Sequence, residues 1–446
     1  MRVLTIGLAI LAWTILQPAA AMSQQTAAGE QRAEISLSVA DAVERALESN
    51  EEARIARAQV DRTRGQVKEV FADALPSVDG SYRLVRNLQR PVIFFNQGGV
   101  TQQISIGEQN EHAFVLSVEQ PIFDRRLGAA VSAARHGEAA SEAIYARALS
   151  DVALRTREAY YEVLRSRAVV EARRGAVQLA GERLQQVELF LDVGTASEFD
   201  QLTARVDLEN ERPALIRAEN ALNLSINALK RVTGIPLEAE VALTDSLAFD
   251  PVTLELEQAV ARALDRRDDL EAQARTVELS EELVNVARAE AYPSLSLQLD
   301  LARRSSSEDF VPEDRDFSQS TSAALSLDIP IFDGRRTQGQ ALRARADHVA
   351  AIERYRALER DVQLGVLDAW QSVQAADRAV EATRATEEQA RRAYEIARVR
   401  FRNGLSTQLE LDEAEQSVVE AQLNAAQALF DHMVARARLL NATGER

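Results

Sequence analysis

One run of landmarks occurs twice in this 446-residue chain. Ala42, Val43 and Leu47 recur as Ala259, Val260 and Leu264, and Leu75-Pro76-Ser77 recurs as Tyr292-Pro293-Ser294, all 217 positions further on. Pro121-Ile122-Phe123-Asp124 returns as Pro330-Ile331-Phe332-Asp333 at a spacing of 209. Gly194 and Thr233-Gly234 return as Gly404 and Thr443-Gly444 at 210. Landmarks in constant order at near-constant spacing read as a tandem duplication. Whatever the fold, it has to be built twice, with a longer loop in the first copy.

Proline placement indicates what each copy contains. None lies between Pro121 and Pro213, and none follows Pro330. Proline breaks helices, so these stretches can hold very long ones. From Val362 an apolar stripe runs through Val366, Ala369, Val373, Ala376, Val380, Ala390, Tyr394, Ala397 and Phe401, with only Thr383 and Glu387 polar. After Gly404 it resumes through Leu411, Ala414, Val418, Ala421, Ala425, Ala428, His432, Ala435 and Leu439. Steps alternating between three and four are the seam of coiled-coil packing.

Between the helices lie short alternating segments. Ser294 to Leu301 and Ala323 to Pro330 set Leu295, Leu297, Leu299, Leu301, Leu325, Leu327 and Ile329 on one side of the chain, with mostly polar residues on the other. About ten residues is the length of a tilted transmembrane β-strand. Two strands per copy make four, too few to close a barrel, so a barrel assembled from several protomers is the simplest resolution.

The predicted order in each copy is helix, strand, loop, strand, very long helix, turn, helix. The first copy (22–234) is expected to place helix 38–73, strands 77–86 and 112–121, long helix 124–192, tip turn 193–196 and helix 197–232. A connector, 235–256, follows. The second copy (257–446) places helix 257–291, strands 294–302 and 320–330, long helix 333–402, tip turn 403–406 and helix 407–441. Residues 124–192 would form a helix about 100 Å long. The two 36-residue helices, stacked end to end, match it. Pro213 is expected to kink the returning helix.

Residues 1–21 read as an export signal, with Arg2, an apolar run from Val3 to Leu16, and Ala19-Ala20-Ala21 as cleavage site. Removing them takes one positive charge, so the net charge of −17 becomes −18. That balance argues against nucleic acid as a partner. Cysteine is absent, which excludes thiolate metal sites, disulfides and a cysteine-attached lipid. His112, His136, His348 and His432 are scattered and no phosphate-binding loop is present, so neither an enzyme nor a cofactor is expected.

The ensemble resembles the outer-membrane efflux protein family typified by TolC. Leu75-Pro76-Ser77 and Tyr292-Pro293-Ser294 are similar to its entries into the strands, and Gln120-Pro121-Ile122-Phe123-Asp124 and Ile329-Pro330-Ile331-Phe332-Asp333-Gly334 to its strand-to-helix exits. Arg400 to Thr407, followed by Leu409, Leu411, Ala414 and Glu415, resembles its helix–turn–helix tip. The resemblance implies a mixed membrane protein, mostly α, with long coiled-coil helices. It implies four transmembrane β-strands per protomer, a homotrimer and a shared twelve-stranded barrel in the outer membrane of a Gram-negative bacterium. The helices would continue as a periplasmic tunnel. Such proteins are passive exit ducts of efflux or type I secretion systems, supplied by an inner-membrane pump through a periplasmic adaptor.

Glu410 and Glu413, three apart, share one helix face past the second tip. The family's matching positions are acidic and ring the periplasmic mouth. Asp200 stands where the family has an acid that latches the inner hairpin to an aromatic hydroxyl. Phe401 occupies the hydroxyl's position and cannot donate, and Ser406 replaces a basic residue, so closure is expected to use other contacts, with Arg400 and Arg402 the candidates. Gly194, Thr195, Ala196 and Ser197, with Gly404, Leu405, Ser406 and Thr407, are the implied adaptor contacts. Phe94, Phe95, Phe114, Phe123, Phe310 and Phe332 flank the strands as candidate interface aromatics. The rival reading is a periplasmic coiled-coil adaptor or structural protein without a pore.

Overall fold

The computed structural model describes residues 35–97 and 100–445; the signal segment lies outside them. A short strand, β1 (Ile35–Leu37), leads into helices α1 (Val39–Ser49) and α2 (Glu51–Ala72). Strands β2 (Ser77–Arg86), β3 (Val92–Gln97), β4 (Val100–Ser105) and β5 (Asn110–Phe123) precede the long helix α3 (Arg125–Asp192) and the returning α4 (Glu198–Thr233). The connector contains β6 (Val241–Leu243). Then follow α5 (Leu256–Arg266), α6 (Asp268–Ala289), β7 (Ser294–Ser307), β8 (Phe317–Asp328), α7 (Arg336–Arg402) and α8 (Gln408–Ala442).

The helices form a wall one helix thick. In one half of its length the neighbours run α2, α3, α6, α7; in the other they run α4, α3, α8, α7. A single layer buries only the seams between neighbours, and those seams are the predicted ones. Val366, Val373, Ala376, Val380, Tyr394 and Phe401 are buried along α7, as are Leu411, Val418, Ala421, Ala428, His432, Ala435 and Leu439 along α8. Alanine at the seam lets the helix backbones approach closely. Both broad faces stay open, which leaves Ile55, Ile144, Ile216, Leu224, Leu342 and Val349 exposed in a lone protomer.

The helices leading into the strands are each divided. Asn50 is extended (ψ 135°), and its side chain caps α2 by accepting from the Glu52 amide at 2.9 Å. Arg267 divides α5 from α6 with the same extended backbone (ψ 121°) but without a side-chain cap. Each division packs against the glycine that ends a half-length helix. Gly234 (φ +67°) lies under Ser49, whose hydroxyl donates to the Thr233 carbonyl at 2.8 Å; Gly444 (φ +80°) lies against the Arg266 carbonyl. A Cβ on Gly234 would stand 2.6 Å from Ser49 Oγ, whereas one on Gly194 (φ +76°) would meet nothing within 4 Å. Both alanine substitutions carry the left-handed penalty of about 1–2 kcal/mol. Only Gly234→Ala adds a clash, so its thermal midpoint is expected to fall clearly further; equal shifts would remove the packing explanation.

The connector docks on α3. β6 pairs in parallel with β1, Ile35 opposite Val241 and Leu37 opposite Leu243. The Tyr160 hydroxyl, fully buried on α3, lies 2.8 Å from the Leu37 carbonyl and 2.7 Å from the Asp245 carboxylate. Further on, His432 accepts the Asp250 amide on Nε2 at 3.2 Å and therefore carries its proton on Nδ1, 2.6 Å from Asp377. α4 runs unbroken through Pro213.

β2, β5, β7 and β8 form one antiparallel sheet in that order, with β2 and β8 at its edges. Its register sorts the two faces. Val78, Val118, Leu299 and Ala323 lie in one cross-strand row, and Leu297 faces Leu325 while Leu295 faces Leu327. On the opposite face Asp79, Ser117, Asp300 and Ser322 make a row, with Ser77, Glu119 and Gln298 beside it. Strand β7 runs five residues past the predicted end, and β8 begins three residues earlier and ends two earlier than predicted. The extension arises because Arg303, Arg304 and Ser305 pair with Gln319, Ser318 and Phe317 although the leucine alternation has ended. The segment 86–111, predicted as a polar loop, carries the β3–β4 hairpin, where Phe94 and Phe95 lie.

Candidate functional site

The two tips are built alike. α3 ends as Thr195 N–H and Ala196 N–H both reach the Phe190 carbonyl (2.8 and 3.1 Å), with Gly194 left-handed. α7 ends as Leu405 N–H reaches Arg400 at 2.8 Å, with Gly404 left-handed at φ +68°. Such endings require the conformation glycine adopts at no steric cost. Ser197 caps α4 and Thr407 caps α8. Leu405 is exposed at the second tip; the Ser406 hydroxyl is buried without a hydrogen-bond partner.

Asp200 and Glu410 stand at equivalent positions, six residues past their tip glycines, and behave differently. The Asp200 carboxylate folds back onto Ser197, accepting from its amide at 2.8 Å and its hydroxyl at 2.7 Å, which closes a capping box. Those two donors, the amide first, hold its carboxyl below the usual range. Glu410 makes no such return: only its amide meets Thr407 Oγ1, at 3.3 Å, and its carboxylate stands exposed, 3.9 Å from Arg400. Glu413 is exposed on the next turn. In the first copy the position equivalent to Glu413 is Thr203, so the free acidic pair belongs to the second tip alone.

Between the hairpins, Phe401 packs against Phe190 with ring centres 5.8 Å apart and the rings tilted by 56°, among Val187, Ala204, Tyr394, Leu411 and Val418. An apolar contact therefore occupies the place of the absent hydroxyl. Arg400 Nη2 donates to the Leu405 carbonyl at 3.1 Å, within its own tip.

One charged cluster was not foreseen. Arg183 of α3 has a side chain only 2% exposed and is bonded to three carboxylates. It meets Asp207 of α4 at 3.0 Å, Glu415 of α8 at 3.2 Å, and Asp412 of α8. A cavity of about 400 Å³ opens beside them, lined also by Arg173 and Glu211. Burial pushes the Glu415 carboxyl up to about 7, against the pull of Arg183. Burial likewise raises Asp207. Among charged residues at heptad-like spacing, only contacts more than 200 positions apart in sequence distinguish Arg183 from an ordinary solvated arginine.

An open amphipathic sheet continuing into a one-helix wall with an acidic tip is the architecture of a channel protomer. The profile of the family described as "Outer membrane efflux protein" matches residues 42–235 and 259–445. The chain belongs to that family and is an outer-membrane export channel. It is 23% identical over 339 residues to "Outer membrane protein TolC" of Vibrio cholerae serotype O1, covering 74% of this chain and 76% of that protein. It is 24% identical over 370 residues to "Alkaline protease secretion protein AprF" of Pseudomonas aeruginosa, covering 79% and 76%. The fold is similar to that of the Campylobacter jejuni CmeC outer membrane channel, with TM-score 0.76, 21% identity, and 91% and 85% of the chains covered. The outer membrane protein VceC of Vibrio cholerae gives TM-score 0.73, 20% identity, and 91% and 96%.

Proposed function

We propose that three copies, each a tandem duplication, close their sheets edge to edge into one twelve-stranded barrel and continue as a helical tunnel through the periplasm. The observation that carries this is the pair of open edges. β2 and β8 present unpaired backbone groups, and neither could stand in lipid that way. Pairing β2 of one protomer with β8 of the next removes every edge at once. The apolar face, with Val78, Leu297, Leu299, Leu325 and Leu327, then meets outer-membrane lipid, and the row of Asp79, Ser117, Asp300 and Ser322 lines the lumen. Phe123, Ile331 and Phe332 are exposed where strands pass to helices, the place for an interfacial girdle.

In this reading the duct is passive. An inner-membrane pump selects the cargo, and a periplasmic adaptor grips the tips through Gly194, Thr195, Ala196 and Ser197 and through Gly404, Leu405, Ser406 and Thr407. Glu410 and Glu413 of three protomers ring the mouth, and Asp200 stiffens the neighbouring tip through its cap. A coiled-coil adaptor without a pore gives no role to a membrane-length amphipathic sheet. The test is fractionation with planar-bilayer recording. An outer-membrane trimer that conducts ions is expected; a soluble periplasmic monomer without conductance would overturn the proposal. Leu405→Glu is expected to leave conductance unchanged and abolish export in cells, read as loss of resistance or of secreted cargo.

A further inference from the structure

We propose that Arg183 is the positioning residue that clamps α8 to the α3–α4 hairpin and thereby fixes where Glu410 and Glu413 stand in the closed tip. The inference rests on the channel reading above and adds a residue to its gate. A helix advances about 100° per residue, so Asp412 and Glu415 share one face of α8, while Glu410 and Glu413 share the opposite one. Near the tip the ion pairs from the other hairpin to this face all come from a single guanidinium, which joins α3 to α4 and to two successive turns of α8. The other polar links of α8 to α3, from Gln427, Arg438 and Asn441, lie further along the helix. The face away from it is exposed. Whatever moves the clamped face moves the gate pair with it.

The chemistry makes the clamp a switch between two arrangements. With Arg183 in place, Asp207, Asp412 and Glu415 converge on one cation. Without it, three carboxylates from two hairpins face each other in a half-buried cavity, and their repulsion drives α8 away. The hydrophobic contact of Phe401 with Phe190 is non-directional and holds distance, not register. Arg400 is occupied within its own tip.

Protonation has a defined sign here. Glu415 faces Arg173, Glu182 and Arg183 of α3, Asp207 and Glu211 of α4, Asp412 and Glu420 on its own helix, and Tyr394, Arg398 and Arg402 of α7. Burial in the clamped tip raises its carboxyl from 4.5 to about 7, and release into water returns it toward 4.5. The clamped state thus binds the proton more tightly, and lowering pH from about 7 toward 4.5 favours it. The Glu415 proton leaves Arg183 paired with Asp207 and Asp412.

The experiment is planar-bilayer recording of the purified full-length protein at several pH values. Arg183→Gln is expected to shift the open-to-closed ratio toward open by about tenfold, with Arg183→Lys intermediate. Asp412→Asn combined with Glu415→Gln is expected to open the channel by a similar factor, and adding Arg183→Gln to that pair little further. Glu415→Gln alone is expected to flatten the closing seen in the parent as pH falls through about 7. If the parent forms no channel, the functional reading fails. If the parent conducts and Arg183→Gln, or the Asp412→Asn/Glu415→Gln pair should Arg183→Gln not fold, leaves the ratio and pH profile unchanged, the clamp is overturned.

Discussion

Replacing both Glu410 and Glu413 by glutamine is expected to raise the half-blocking concentration of a divalent cation about a hundredfold, while leaving the folded channel intact. The charges are exposed and make no stabilising bond beyond the 3.9 Å approach of Arg400 to Glu410, so their removal costs little. Around a threefold axis they would become six carboxylates at one level. A unit charge at about 4 Å is worth about 1 kcal/mol even in water, and a divalent ion feels each twice. Since about 1.4 kcal/mol is a factor of ten, only part of that sum is needed for the expected change. Raising ionic strength should weaken block in the parent. Asp200→Asn is the control. Its carboxylate is committed to the Ser197 cap, so the variant should lose helix stability, on the order of 1 kcal/mol, with divalent block little changed. Equal block in the parent and the Glu410→Gln/Glu413→Gln channel would dismiss the ring.

The second large effect is structural. Tyr160→Ala is expected to destabilise the folded chain by about 3–5 kcal/mol, as for other buried aromatic truncations. The ring fills the core with Leu37, Val163, Leu164, Leu229 and Ile235. Its hydroxyl joins the Leu37 carbonyl to the Asp245 carboxylate, which in turn accepts the Val39 amide at 2.8 Å. One side chain therefore ties β1, α1 and the connector to the long helix. Tyr160→Phe keeps the ring and leaves the acceptors short of one donor, about 1–3 kcal/mol. Urea unfolding followed by circular dichroism should rank the parent above Tyr160→Phe and that above Tyr160→Ala. A phenylalanine variant as unstable as the alanine one would assign the effect to the hydroxyl instead.

How legible this was in the sequence depended on period. The seam of α7 and α8 is a repeat of three and four, and it located buried residues down to His432, which a composition-based reading would place outside. Leucines of β7 and β8 alternate strictly and declared their face. The joints at Asn50 and Arg267 were not visible, because the heptad pattern continues across them and their cause is a distant glycine. The β3–β4 hairpin was missed because Val92–Gln97 and Val100–Ser105 alternate weakly. β1 and β6 were missed because three-residue pairing carries no periodic signal. At the tips, the family resemblance singled out Glu410, Glu413 and Asp200, but neither it nor their spacing revealed that the Asp200 carboxylate caps its own helix while Glu410 stays exposed. Arg183 was illegible for a deeper reason: its charge is ordinary for a helix surface, and only folding brings Asp207, Asp412 and Glu415 around it.

The divided helices have a mechanical meaning. Gly234 against Ser49 and Gly444 against Arg266 set both discontinuities, and the connector, at one level of the wall. Above and below that level only α3 and α7 run through without interruption. A duct so constructed has a waistband: half-length struts abut there and need not transmit bending. Bending in the half that carries the tips therefore need not strain the half rooted in the sheet, because only α3 and α7 are continuous between the two.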